Sequence, residues 1–103
     1  AQLADQGNRE AKFDVAESYR LTAEILAKTR QTNAAVESLN KAIEICEEMS
    51  LADANNNESR TLAVGNFNAL LKVFEDSGDQ NRAAETARRI VEFKERTKIP
   101  DRP

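Results

Sequence analysis

The chain has 103 residues, 40% hydrophobic and 32% charged, which suits one small globular domain and is too apolar for a disordered segment. Its net charge of −3, with acids interleaved among the basic residues, argues against nucleic acid as a partner. No apolar run approaches the ~20 residues of a membrane span, and the first residues given lack the charged-then-apolar pattern of a signal peptide. Cys46 is the only cysteine, and a free thiol favours a reducing compartment, the cytoplasm.

The first half of the chain predicts two amphipathic helices, near residues 9–30 and 33–50. The apolar stripe of the first helix consists of Phe13, Ala16, Tyr19, Ala23 and Leu26. The stripe of the second helix consists of Ala35, Leu39, Ala42, Ile43, Cys46 and Met49. Asn33 lies just ahead of that second stripe, where its side-chain oxygen is expected to cap the helix.

The second half predicts two more helices, near residues 58–77 and 80–98. Their stripes consist of Phe67, Leu70, Leu71 and Phe74, and of Ala83, Ala87, Ile90, Val91 and Lys94. Gly78 is expected to end the third helix in a left-handed conformation, and Asp79 to start the fourth. The polar segment "DANNN" (53–57) separates the helix pairs, and Pro100 stops the last helix. Since no run alternates with period two, the expected class is all-α.

The second half repeats the first at a constant offset, in which each position i matches position i + 48. Residues 3–49 align with residues 51–97 without a gap and with ten identities; "NAAVESLNKAIEI" (33–45), for example, matches "NRAAETARRIVEF" (81–93). A constant offset indicates a duplicated supersecondary unit, and the short connections make neighbouring helices antiparallel. The predicted fold is a single domain of two stacked antiparallel helical hairpins, with repeat 1 near 3–50, repeat 2 near 51–98 and a tail at 99–103.

The repeated unit resembles the tetratricopeptide repeat. In "SGDQNRAAETARRI" the residues Gly78, Asp79, Ala83, Ala87 and Ile90 match the turn and second helix of that family, and "RQTNAAVESLNKAI" matches through Ala35, Leu39 and Ala42. The family's unit has about 34 residues, so the unit of this chain is longer. Longer helices of this kind are found in kinesin light chains, and long periods in arrays that accompany some bacterial signalling proteins, including Ser/Thr kinases. The resemblance implies an α-solenoid fragment that binds proteins.

The motif "LAD" occurs at residues 3–5 and again at 51–53, directly after the second helix. Leu3–Asp5 therefore resembles the end of a preceding helix, and we expect a longer array upstream of Ala1. Two units are fewer than the roughly three that a stacked array needs, so an isolated pair is expected to be marginally stable or to self-associate.

No catalytic constellation is evident in the sequence. Histidine is absent, the three glycines are isolated, and "DANNNES" lacks the ligand spacing of a calcium loop. Cys46 lies on the apolar stripe of its helix, which favours a packing role over a nucleophilic one. We therefore expect no enzyme activity, no cofactor and no metal site.

The resemblance places a partner-binding face on the first helix of each unit. The positions carried over are Glu17, Arg20, Glu24, Lys28, Asn68, Lys72 and Glu75, with Gly65 and Asp76 beside them. Glu24 stands where the family's carboxylate clamp keeps an Asn, so we do not expect that specialised clamp. The alternative is that these charges form solvated i,i+4 pairs, such as Glu24–Lys28 and Lys72–Asp76.

The leading functional prediction is a scaffold module that binds a protein or peptide, as part of a larger protein. One alternative is a self-association domain whose end hairpins stack in a homodimer. Its contacts would come from Leu62, Leu70 and Val73, or from Ile90, Val91 and Phe93. The other alternative is a helical accessory segment of a signalling enzyme such as a Ser/Thr kinase.

Overall fold

The computed structural model describes residues 2–52 and 57–97, with side chains for residues 10–51 and 57–97. These residues form four α-helices and include no strand. The helices are α1 (Gln2–Lys28), α2 (Thr32–Ala52), α3 (Asn57–Ser77) and α4 (Gln80–Arg96). The all-α class and the number of helices are thus confirmed. None of these four helices is long and apolar enough to cross a membrane.

Two predictions at the helix starts are wrong. α1 begins at Gln2 rather than near residue 9, so Leu3–Asp5 continue into α1 and do not end a separate helix. Asn33 lies inside α2 and does not cap it, because the helix already begins at Thr32. Residues 53–56 and 98–103, which include most of "DANNN" and all of "KIPDRP", lie outside the described residues.

The two hairpin turns occupy equivalent positions of the repeat and have the same backbone geometry. Arg30 (φ 63°) and Gly78 (φ 80°) both adopt the left-handed conformation, as predicted for Gly78. In the first turn, the N–H groups of Arg30 and Gln31 donate to the carbonyls of Ala27 (3.1 Å) and Leu26 (2.8 Å). In the second turn, the N–H groups of Gly78 and Asp79 donate to the carbonyls of Glu75 (3.1 Å) and Phe74 (2.9 Å). Each pair of bonds is a Schellman motif, which satisfies the last carbonyls of the preceding helix.

The starts of α2 and α4 also correspond. Gln31 and Asp79 precede the helices, and their carbonyls accept the N–H groups of Ala35 and Ala83, each at 3.0 Å. Asp79 additionally accepts a hydrogen bond from the Arg82 N–H at 3.1 Å, which confirms it as the N-cap of α4.

The helices pack in chain order, α1 on α2, α2 on α3 and α3 on α4, and α1 also approaches α3 along a short stretch. Because α2 has a neighbour on each side, it needs a wide apolar surface. All six residues of its predicted stripe are buried: Ala35, Leu39, Ala42, Ile43, Cys46 and Met49. The stripes of α1 and α3 are likewise buried or half-buried against the same core.

The predicted stripe of α4 is partly wrong. Ala87, Val91 and Lys94 are exposed, whereas the buried residues are Thr86, Ile90 and Phe93. The reason is that α4 packs on α3 alone, so one narrow stripe is enough. The positions of α4 that correspond to the α3-facing side of α2 have no helix over them among the described residues.

Cation–aromatic contacts repeat at the same offset. Lys41 Nζ lies 5.8 Å from the ring centroid of Tyr19, and the guanidinium carbon of Arg89 lies 5.0 Å from that of Phe67. Each contact joins the two helices of one hairpin. Because both members of each pair occupy equivalent positions of the repeat, the two hairpins correspond side chain by side chain at this contact.

Candidate functional site

A groove with a volume of about 460 Å³ lies between α1 and α3. Its apolar residues come from three helices: Ala23 and Ala27 from α1, Leu39 from α2, and Ala69 and Val73 from α3. Four of these five side chains are Ala or Val, so the floor is set close to the helix backbones. An apolar side chain or helix can therefore approach both helices closely.

Charged side chains line the rim of the groove, Glu24 and Lys28 on α1 and Lys72 and Asp76 on α3. At equivalent positions of the two helices the signs are opposite, since Glu24 corresponds to Lys72 and Lys28 to Asp76. Within the described residues, Lys28, Lys72 and Asp76 form no ion pair within 4 Å. The ion pairs Glu24–Lys28 and Lys72–Asp76, named as the alternative to a binding face, are therefore not formed among the described residues.

Glu24 is instead paired with Arg20, one turn earlier on α1. Arg20 also donates to Glu17, with Nη2 2.7 Å from Oε1. This three-residue network fixes the guanidinium of Arg20 on its own helix beside the groove. Lys28 and Lys72 are the rim cations left without such a partner among the described residues.

The groove continues towards the hairpin turn of the first unit. A second compartment of about 470 Å³ shares Ala27, Lys28, Val73 and Asp76 with the first. It is completed by Arg30, Thr32 and Ser77. The two compartments form one elongated depression, open to solvent, between the C-terminal halves of α1 and α3.

The seven residues predicted as a binding face have three different placements. Glu24, Lys28 and Lys72 line the groove together. Glu17 and Arg20 lie beside it in the ion-pair network. Asn68 and Glu75 are exposed on α3 but do not line either compartment. Of the two residues noted beside them, Asp76 lines the groove and Gly65 does not.

The floor residues were missed as site residues from sequence. Ala27, Ala69 and Val73 were not singled out as part of a binding face, and Ala23 and Leu39 were assigned to the core alone. A usable signal was present: Ala23/Ala27 and Ala69/Val73 are i,i+4 pairs of small residues that flank the charged positions.

Cys46 lies away from the groove, beside Asn66 in the buried contact between α2 and α3. Its Sγ accepts a hydrogen bond from Asn66 Nδ2 at 3.6 Å. Burial raises the pKa of the Cys46 thiol to about 11, against the effect of that hydrogen bond. The thiol is therefore protonated at neutral pH, which fits the packing role predicted for it and not a nucleophile.

Within residues 2–52 and 57–97, no group of three His, Cys, Asp or Glu side chains is arranged to hold a metal ion. No protein family, curated protein or solved structure matches the chain in comparisons with known proteins.

Proposed function

We propose that this chain is a non-catalytic interaction module that binds a peptide or protein segment in the groove between α1 and α3. The observation that carries the proposal is an apolar floor bordered by charged side chains, three of which lack ion-pair partners among the described residues. Such a surface offers hydrophobic burial at its centre and orienting charges at its rim.

We further propose that the module is a fragment of an α-solenoid of the tetratricopeptide type, within a larger cytoplasmic protein. The chain-order packing of the helices, the approach of α1 to α3 and the equivalence of the two hairpin turns support this arrangement. The free, buried thiol of Cys46 supports the reducing compartment. The proposed groove would then lie on the layer formed by the first helices.

A direct test starts from peptides selected on the immobilised chain from a displayed random library. Binding of a selected peptide is then measured by calorimetry for the wild type, Lys28→Glu and Lys72→Glu. We expect each reversal to change the Kd by about tenfold or more for a peptide that carries an acidic residue, because both ammonium groups are free to pair. Lys12→Glu, an exposed reversal near the other end of α1, is the matched control and should change the Kd little.

A floor variant separates groove binding from general charge attraction. Ala69→Leu adds a branched side chain to the floor and should reduce affinity even for an uncharged selected peptide, while circular dichroism checks that the helices remain intact. Equal affinities for the wild type, both rim reversals and the floor variant would rule out the groove as the binding site.

A further inference from the structure

α1 carries an apolar surface on the side that faces away from α3. Val15, Leu21 and Ile25 are 45%, 52% and 63% exposed, and they are three of the five large hydrophobic side chains that are exposed among the described residues. A depression of about 260 Å³ lies on the same side and includes Val15 and Tyr19 in its lining. This surface is separate from the groove, which lies on the other side of the helix.

The second hairpin shows what covers such a surface. Val15, Leu21 and Ile25 correspond to Ala63, Ala69 and Val73 of α3 in the gapless alignment of the two units. Ala63 is fully buried, and Ala69 and Val73 are half-buried beside Leu39 of α2 in the groove. We therefore expect a helix equivalent to α2 to pack on the outer side of α1.

α4 is the equivalent of α2 in the second hairpin, and no described helix packs on its side that faces away from α3. Leu39, Ile43 and Cys46 of α2 are buried in the core that α2 shares with α3. Their counterparts on α4 are Ala87, Val91 and Lys94. All three are exposed, Val91 by 61%.

The charges on these two surfaces are complementary. Cys46 contacts Asn66 in the α2–α3 junction, so the equivalent contact would place Lys94 against Ser18. Asp14 lies one helical turn before Ser18, within reach of a lysine side chain. In the described part of the chain, neither Asp14 nor Lys94 takes part in an ion pair within 4 Å.

We propose that a second copy of this chain packs its α4 on the outer side of α1, head to tail, in the manner of the α2–α3 junction. Of the six residues suggested from sequence for self-association, only Val91 is exposed; Leu62, Leu70, Ile90 and Phe93 are buried and Val73 is half-buried. The stacking surface is therefore Val15, Leu21 and Ile25 on one copy, and Ala87, Val91 and Lys94 on the other. Because the contact is heterologous, it leaves one free surface at each end and allows further copies to add.

The first test is light scattering over a concentration series that extends to about 1 mM. The expected mass of the wild type rises with concentration and is not limited to a dimer. Ile25→Glu blocks the α1 surface and Val91→Glu blocks the α4 surface, so each variant alone should stay monomeric. Their equimolar mixture should form dimers and nothing larger, since one intact surface of each kind remains.

Leu51→Glu is the matched control, because Leu51 is a large exposed hydrophobic residue on α2, outside both surfaces. It should associate like the wild type. A wild type that is monomeric throughout, or an equimolar mixture that stays monomeric, would overturn the proposal. Association of either blocked variant alone would indicate a symmetric contact and would overturn it equally.

A charge exchange tests the register. Lys94→Asp places like charges opposite each other at positions whose counterparts, Cys46 and Leu62, are buried, and should weaken association more than tenfold. Adding Asp14→Lys in the same chain restores opposite charges across the contact and should restore the wild-type mass profile. Failure of the double variant to recover would contradict the proposed position of Lys94.

Discussion

The two hairpins have the same turns but different cores. At five equivalent buried or half-buried positions the first hairpin has the smaller residue and the second the larger; the pairs are Ala16/Val64, Ala23/Leu71, Leu26/Phe74, Ala42/Ile90 and Ile45/Phe93. Small residues let α1 and α2 approach closely, whereas aromatic rings fill the space between α3 and α4. The comparison shows that a repeated unit can keep its helix ends and register while its interface is rebuilt with side chains of another size.

The two hairpins also differ in how their second helix is held. α2 is covered by α1 and α3, but the backbone of α4 lies close to that of α3 alone. α4 depends on the ring of Phe93, 5.6 Å from that of Phe67, and on an ion pair of 2.9 Å from Arg96 to Glu47 of α2. We therefore expect α4 to open before the other three helices.

The largest expected effect is that of Phe93→Ala, which removes one ring of the aromatic pair. A buried Phe replaced by Ala costs about 3–5 kcal/mol, which is a large share of the stability of a domain of this size. Ile45→Ala, at the equivalent half-buried position of the first hairpin, should cost less. Urea denaturation measures both free energies, and equal losses would contradict the different roles of the two positions.

Exchanging residue size between the hairpins tests the close packing of the first one. Ala42 is fully buried, so Ala42→Ile forces methyl groups into a filled interface and should destabilise by about 1–3 kcal/mol. Ile90 occupies the equivalent place on α4, where Ile90→Ala should leave a cavity and also destabilise. An unchanged stability of Ala42→Ile in thermal and urea unfolding would contradict the close packing proposed for the first hairpin.

The turns differ in one residue that matters energetically. Arg30 adopts the left-handed conformation that its counterpart Gly78 adopts freely. Since a Cβ in this conformation costs about 1 kcal/mol, Arg30→Gly should stabilise the fold by roughly that amount and Gly78→Ala should destabilise it similarly. Opposite shifts in Tm are the expected result, and a loss of stability in Arg30→Gly would show that the arginine side chain contributes more than the strain costs.

The sequence was sufficient for the features that local patterns determine. Helical periodicity predicted the four helices, and Gly78 and Asp79 predicted the second turn because their residue types favour a left-handed C-cap and an N-cap. The first turn was harder, because Arg30 and Gln31 have the same geometry without those residue types. The residue types therefore predict Asn33 as the cap, two residues after Gln31, which holds the position equivalent to Asp79.

The candidate site was predictable only on the rim. The resemblance to the tetratricopeptide repeat predicted Glu24, Lys28 and Lys72 as part of a binding face, and they line the groove, but it did not predict which of them would be paired. The floor depends on the distance between α1 and α3 and on Leu39 reaching it from α2, which no single-helix pattern contains. The predicted apolar stripe of α4 was partly wrong for the same reason, because the width of a buried stripe depends on how many helices cover it.

The smallest expected effect concerns Gly65, which corresponds to Glu17 of the first hairpin. A Cβ at Gly65 would meet no atom within 4 Å, so Gly65→Ala should stabilise α3 by about 0.5–1 kcal/mol through helix propensity alone. Gly65→Glu with Asn68→Arg would transfer the Glu17–Arg20 pair to α3. The pair should add only a few tenths of a kcal/mol beyond the gain from removing the glycine, because it is solvated and local. Urea denaturation of the two variants separates these contributions. A destabilised Gly65→Ala would mean that a neighbour covers this exposed side of α3 in solution.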